Sequence, residues 1–528
     1  MKTQFTKTAL WLCFILSPVL LTAQADEGLD HQINEMVQPI ATQVSNIVFF
    51  AIPIKVGGME QAVGVPIVLL LLILGALYFT LYFGFPNLRY FSLAINILRG
   101  KIDNTISDEP AQDPDAPKKN IGEVSAFQAL TTAISATVGL GNIAGIAIAI
   151  GSGGPGATFW MILAGFLGMS SKFTECILGV KFREFDEDGH VYGGPLYYLR
   201  KGFALKKLPI LGKGFAFFYA IVIVFAAMAA GSMFQVNQAR SQVVPIITNL
   251  LQIESNATGF IFGVLMAILV GIVIIGGIKR IGNVAEKIVP LMVSVYVLAA
   301  IVILVFNFSS IPAAFSLILQ EAFNPQAIQG GVLGVITVGL TRAAFSNEAG
   351  LGSASFAHSA VKTNYAASEG IVALLEPFID TVVVCTMTAV VIIVTQVDCT
   401  DGAGIACTSA AFESVIPNFS IVLGIAALLF AFSTMLAWSY YGLQAWKYLF
   451  GRNKVADIIY KLLFCSSIVI GAAITLTAVK TLADAMMLAL VFPNMLGLIL
   501  LAPLVKKEVQ RYLKVIKSGK LSKGQRSS

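Results

Sequence analysis

Residues 133–145 read Ala-Ile-Ser-Ala-Thr-Val-Gly-Leu-Gly-Asn-Ile-Ala-Gly, and the run closes on Gly153-Gly154-Pro155-Gly156, all inside an apolar span. A plain membrane helix has no use for glycines at 139, 141 and 145 and an asparagine at 142 near mid-depth. Each glycine raises the cost of a continuous helix, and backbone groups freed by opening it need partners that, in lipid, only a buried polar site supplies. The stretch predicts a broken helix. A second one, residues 342–355, is again polar and glycine-bearing within a hydrophobic region. Both contain Asn-x-Ala-Gly, at 142–145 and 347–350, and each stands at the start of one half of the hydrophobic chain. Paired interrupted helices in corresponding positions point to a transporter binding site. Chance recurrence in a chain rich in Gly and Ala is the competing reading, and placement in both halves weighs against it.

With 57% hydrophobic and 12% charged residues, the chain falls far below the roughly 25% charge of soluble domains and reads as a polytopic, all-α membrane protein. Its net charge of +6 resides in short loops and the tail, which fits orientation in a bilayer better than a nucleic-acid partner. Residues 1–25 have the layout of a cleavable signal peptide: Lys2 and Lys7, an apolar run, then Ala23-Gln24-Ala25. An uncleaved anchor is the alternative. Residues 26–64 are expected to be external, and residues 65–121 to form a first membrane helix and a loop with an acidic insert at 108–117.

Further spans are expected near 125–150, 157–180, 214–236, 259–276 and 287–306, then 331–353, 370–396, 419–446, 457–477 and 483–504. With the one at 65–83 they make eleven. Domain limits follow as 122–306 and 307–504 for two five-helix halves and 505–528 for a basic tail. Only Lys55, Arg240 and Lys480 then fall in external loops, so the positive-inside pattern places the mature N-terminus outside and the C-terminus in the cytoplasm. Residues 237–251, 311–323 and 410–416 read as partly apolar external pieces, gates or stiff connections alike. Cys176, Cys385 and Cys465 lie in apolar spans, whereas Cys399 and Cys407 flank an external polar loop where a disulfide is expected.

Three blocks resemble the signatures of the alanine or glycine:cation symporter family, the bacterial sodium:alanine symporters. They are residues 138–145, residues 153–161, and Phe345-Ser346-Asn347-Glu348-Ala349-Gly350-Leu351-Gly352-Ser353. Phe378-Ile379-Asp380-Thr381 and Trp438-Ser439-Tyr440-Tyr441-Gly442 add weaker ones, and the likeness spans about 65–504. It implies a leucine-transporter-like core of five-plus-five inverted repeats, with broken first and sixth core helices and one additional N-terminal transmembrane helix. It also implies sodium-coupled symport of a small neutral amino acid in the bacterial plasma (inner) membrane, Na+ as coupling ion and no organic cofactor. Leu140 and Leu443 stand where the family commonly has Thr and an acidic residue, so no hydroxyl or carboxylate role carries over there.

A zwitterion needs donors for its carboxylate, acceptors for its ammonium and a pocket fitted to its side chain. Unwound backbone supplies the first two without placing charges in the bilayer. Amides near Gly139, Gly141 and Asn142, with the Thr137 hydroxyl, are expected to take the carboxylate; a Thr137 hydroxyl bonded back to its own helix is the alternative. Carbonyls near Phe345, Ser346 and Asn347, beside Gly350, are expected to take the ammonium, with Trp438 and Phe345 as pocket wall and Gln235 and Asn237 as polar lining or outer gate. For sodium, a hard cation that prefers oxygen, the related architecture pairs Ser433 and Thr434 with carbonyls near Ala136 and Gly139. Among buried charges, Lys172 and Glu175 have helix-neighbour spacing, and Arg342 and Glu348 flank the second break, to pair with each other or with the opposing half. A proton-coupled or exchange carrier of the same fold, with Glu348 as the titrating group, is the first rival, and a channel or membrane sensor the second. No zinc or nucleophile-elbow motif supports an enzyme.

Overall fold

The computed structural model describes residues 29–54, 63–102, 104–105, 122–252, 258–323, 331–399 and 404–521. The expected signal peptide with Cys13, Lys55 and the acidic insert lie outside the described residues.

The described chain is mostly helical. Helix α1 (Leu29–Val48) packs along a helix near the C-terminal end of the chain, and α2 (Ile67–Tyr82) lies against the first long core helix. The first expected core span is two helices, α3 (Ala126–Thr137) and α4 (Ala144–Gly153), followed by α5 (Ala157–Lys181). A short helix, α6 (Pro195–Leu205), leads into α7 (Pro209–Met228), which passes through a π-helical turn, Ala229–Met233, into α8 (Phe234–Leu251). Helices α9 (Thr258–Ile274), α10 (Gly277–Phe306) and α11 (Ile311–Phe323) complete the first part of the chain.

Helix α12 (Gly331–Asn347) ends at the second break and the chain resumes as α13 (Ser355–Ser359). Then come α14 (Ala366–Ala373), a second π-helical turn, Phe378–Cys385, α15 (Thr386–Thr395) and α16 (Ile405–Glu413). The chain finishes with α17 (Phe419–Phe450), α18 (Lys454–Ala473), α19 (Leu476–Ala489) and α20 (Val491–Lys517).

Seven of the eleven stretches expected to cross a membrane correspond to helices long and apolar enough to do so. The other four are shorter or interrupted: α2, α3 with α4, α9 and α12. Residues 237–251, expected as a separate external piece, instead continue the rod that begins at Pro209, because the π turn carries the backbone through without a break. Two antiparallel ribbons depart from an all-α chain: Ala51–Ile54 with Val63–Pro66, and Glu184–Phe185 with Val191–Tyr192. Cys399 and Cys407 are joined by a disulfide that ties the start of α16 to the preceding loop.

Both interrupted helices lie inside the bundle. Helix α3 packs against α10 and α17, α4 packs against α12, and α12 packs against α5. Their surroundings are almost fully buried, so every polar group there has to find a protein partner.

Candidate functional site

Helix α3 starts at a capping box, in which Ser125 Oγ accepts from the Gln128 amide (3.1 Å) and Gln128 Oε1 accepts from the Ser125 amide (3.0 Å). It ends at Thr137, and residues 138–143 form an irregular turn that keeps only isolated backbone bonds, such as Val138 N to Ile134 O (2.7 Å) and Asn142 N to Gly139 O (3.2 Å). Side chains take over the freed amides. Asn142 Oδ1 accepts from Gly139 N (3.2 Å), and Gln235 Oε1, reaching in from α8, accepts from Leu140 N (3.1 Å). Thr408 Oγ1 donates to the Ile143 carbonyl at the head of α4 (2.9 Å). Glycine is required here by crowding: a Cβ on Gly139 would stand 2.5 Å from Thr434 Oγ1 and 3.1 Å from Gln235 Oε1, and one on Gly141 would stand 3.2 Å from the Phe345 ring.

A cavity opens beside this turn, with free volume of about 10 Å³, room for one water molecule. Ala136, Thr137 and Gly141 form one side of it, and Gln235, Phe345 and Trp438 close around them. Ala230, Glu348 and Met487 complete the wall. Trp438 is pressed into place by Gly231 of the first π turn, where any Cβ would come within 2.3 Å of the tryptophan Cβ. The Thr137 hydroxyl bonds back to its own helix, at the Ala133 and Ile134 carbonyls (3.2 and 3.4 Å).

Asn142, Ser346 and Asn347 turn elsewhere. Asn142 Nδ2 donates to Asp380 Oδ1 (2.6 Å) and reaches Ser346 Oγ (3.2 Å). Ser346 and Thr381 hydroxyls both donate to Asp380 Oδ2 (2.5 and 2.7 Å), and Asn347 Nδ2 donates to Thr381 Oγ1 (2.9 Å). Asp380 is wholly buried on the second π turn, so the two broken helices and that turn meet around one carboxylate. At the predicted sodium residues, Thr434 Oγ1 donates to the Ser135 carbonyl (2.8 Å), one residue before Ala136, and Ser135 Oγ donates to the Ser433 carbonyl (2.7 Å). The Ser433 hydroxyl itself turns back to Phe430 O (3.1 Å). Asn237 lies away from the cavity, donating to the Ile474 carbonyl (2.6 Å).

The second break is held by charges. Glu348 has φ +55° and Gly350 and Gly352 have φ +93° and +90°. The Gly350 carbonyl accepts from Asn494 Nδ2 (2.8 Å), the Leu351 carbonyl from the Tyr219 hydroxyl (2.8 Å), and the Glu348 carboxylate from Ser353. Arg342 pairs with Asp484 of α19, neither with Glu348 nor with the opposing half, and its guanidinium stacks 5.3 Å from the Phe345 ring. Lys172 bypasses Glu175, its neighbour in helical spacing, and pairs with Glu376 (3.0 Å). Glu376 also faces His358 Nε2 (3.5 Å), whose Nδ1 meets Glu369 (2.7 Å). Helical spacing offered Lys172 a local partner, but Glu175 is drawn off to Asn494 (3.1 Å).

Known proteins share this chain's sequence over nearly its whole length. The sequence profile of the sodium:alanine symporter family matches residues 52–526. The chain belongs to this family. The sodium/alanine symporter AgcS of Methanococcus maripaludis is 37% identical over 459 residues, 86% of this chain and 95% of that one. An uncharacterized transporter of Haemophilus influenzae is 36% identical over 462 residues, 86% of this chain and 94% of its own. Among solved structures, the crystal structure of MhsT in complex with L-phenylalanine matches 74% of this chain and 99% of that one, at 15% identity and a TM-score of 0.48. As a sodium:alanine symporter family member, the protein is a multi-pass integral membrane transporter of the cation-coupled amino-acid symport class and not an enzyme.

Ala230 and Met487, which line the cavity, do not stand out in the sequence, and Asp380, which the two breaks share, is not among the expected site residues. Ala and Met in apolar helices carry no signal that separates lining from packing. Asp380 does carry one: it is an acid in an apolar span, within a block that resembles the family's.

Proposed function

We propose that this member imports a small neutral amino acid, alanine foremost, together with sodium across the bacterial plasma (inner) membrane by alternating access. The observation that carries this reading is the small cavity at the first break, between main chain and Trp438, Phe345 and Met487, which holds no more than a water molecule in this closed arrangement and has to widen to admit a substrate, favouring a small one. In this reading Gln235 Oε1 holds the Leu140 amide until a substrate carboxylate replaces it, and amides around Gly139 and Gly141 complete the carboxylate's donors. The Glu348 carboxylate and carbonyls near Phe345 receive the ammonium.

Sodium takes oxygen ligands from Thr434, Ser433 and the carbonyls around Ser135, Ala136 and Gly139, where α17 meets the end of α3. The oxygens of Asp380, Ser346 and Thr381, with Asn142, supply a second oxygen-rich position for the ion. Because α3 and its turn belong to both the amino-acid and the ion positions, each ligand stabilises the arrangement the other needs, which is what coupling requires. One sodium entering down an inside-negative potential of about 100 mV brings roughly 2.3 kcal/mol, enough for about fifty-fold accumulation before its concentration gradient is added. The Arg342–Asp484 pair lies one helical turn from Phe345 on α12 and from Met487 on α19, and so closes the cavity on that side as a gate.

Uptake of alanine, glycine and serine into proteoliposomes, with and without an inward sodium gradient, tests the reading. Saturable uptake that requires sodium is expected. The wholly buried Asp380 and the cavity-facing Glu348 favour one second reading, proton coupling, which predicts sodium-free uptake that follows the pH gradient.

A further inference from the structure

The second π-helical turn has two chemically opposite faces. Asp380, Thr381 and Cys385 point into the bundle and are buried, whereas Val382 and Val383, followed by Thr386 and Met387 of α15, are partly exposed on the other side. The inward face makes the Asp380 hydrogen bonds described above. The outward face floors a groove of about 260 Å³, walled by Leu304 of α10 and by Ile311 and Phe315 of α11, with Val383, Met387 and Val390 beneath. Among the described residues no ionisable side chain lines it, and the one hydroxyl there, on Thr386, is directed to the Thr381 carbonyl (3.4 Å).

The groove's surroundings decide its occupant. Leu304 belongs to Gly277–Phe306, and Val382 to Val390 belong to Ala366–Thr395, both of them helical stretches long and apolar enough to cross a membrane. On another face of α10, outside the groove, Leu298, Val302 and Val305 are exposed, an apolar surface of the kind that bilayer hydrocarbon covers. A linear apolar chain fits the shape and finds no polar group to desolvate.

We propose that this groove seats one acyl chain of a membrane phospholipid against the outward face of the turn whose inward face carries Asp380. π-Helical turns interrupt regular i→i+4 bonding and recur at functional sites, so packing behind this one bears on the geometry of the carboxylate in front. The proposal needs only that these helices lie in a bilayer, and it stands apart from the substrate and sodium assignments.

The test uses the purified full-length protein in detergent, incubated with dioleoylphosphatidylethanolamine, washed, and weighed by native mass spectrometry. Wild type is expected to retain about one phospholipid per chain, and Met387→Trp, which fills the groove, to reduce retention about tenfold. Val383→Phe is the second filling variant, read in place of the first if Met387→Trp lacks the wild-type thermal transition. Leu298→Trp, on the exposed apolar face of α10 outside the groove, is expected to retain lipid as wild type does. Equal retention in the filled variants, equal loss in Leu298→Trp, or no retained lipid in wild type overturns the proposal. Retention of added oleic acid with none of the phospholipid also overturns it.

Discussion

The two breaks share the motif Asn-x-Ala-Gly and use it in opposite ways. At the first, Gly145 already belongs to helix α4 and a Cβ there would meet nothing within 4 Å, and the working glycines are 139 and 141, which make room for Thr434, Gln235 and Phe345. At the second, Gly350 lies in the break itself at φ +93°, with Met495 and Leu72 within 2.7 Å of where its Cβ would be. The asparagines differ too: Asn142 crosses to Asp380, whereas Asn347 Oδ1 caps the Ala349 amide beside it (2.9 Å). The first break is neutral and its amides are held by exchangeable side chains. The second is fixed by left-handed backbone and by buried ions. A carrier gains from that division, since one wall can respond to a ligand while the other stays set.

The largest expected effect probes the ionic side. Lys172→Met leaves Glu376 buried without its 3.0 Å partner, a loss of about 3–5 kcal/mol, measured as a lowered denaturation midpoint in detergent. Lys172→Met with Glu376→Met is expected to recover most of it, because two apolar groups replace a matched pair. Asn142→Ala, which removes a donor to the Asp380 carboxylate but leaves its Ser346 and Thr381 donors, is expected to cost about 1.5–3 kcal/mol of stability. If Asn142→Ala unfolds the protein as readily as Lys172→Met, the contrast between the breaks is wrong.

Next, Gly139→Ala pushes a methyl to 2.5 Å from Thr434 Oγ1, overpacking that costs about 1–3 kcal/mol, so uptake is expected to fall about 10- to 100-fold with the fold intact. Gly145→Ala meets open space and is expected to keep wild-type uptake while gaining up to about 1 kcal/mol of stability. Paired uptake and unfolding measurements on these two variants separate crowding from helix propensity as the reason for glycine in this stretch.

The breaks were legible because Gly, Asn and Ser inside apolar runs violate what a lipid-embedded helix requires. Blocks resembling the family's also contain Gly141, Phe345 and Trp438, and the polar groups a zwitterion needs pointed to Thr137 and Gln235; all five line one cavity. What each glycine is for was not legible, because crowding depends on side chains from helices about a hundred to three hundred positions away, such as Gln235 and Thr434. Partner choice among buried charges failed for the same reason. Helical spacing offered Glu175 to Lys172, and only the packing of α5 against the segment around Glu376 supplied the real one. The π turns at Ala229–Met233 and Phe378–Cys385 left no mark in composition, yet they aim Gln235 and Asp380 inward.

A smaller effect is expected from Gly350→Ala, which places a side chain at φ +93°, costing about 1–2 kcal/mol in stability. Its uptake is expected to fall with the amount of folded protein and no further, since Gly350 faces Met495 and Leu72 and not the cavity. A disproportionate loss of uptake would make the second break a moving part.

The smallest effect bears on the responsive side alone. Thr434→Val keeps the shape of the side chain and removes the hydroxyl that donates to Ser135 O at 2.8 Å, a bond contributing about 1 kcal/mol. If that hydroxyl serves only packing between α17 and α3, stability drops by this amount and half-saturating sodium stays put. If it is a sodium ligand, half-saturating sodium rises about fivefold or more while uptake at saturating sodium is largely retained. Initial-rate uptake over a sodium series, beside an unfolding curve for the same variant, separates the two, because only a ligand moves the first measurement by more than the second.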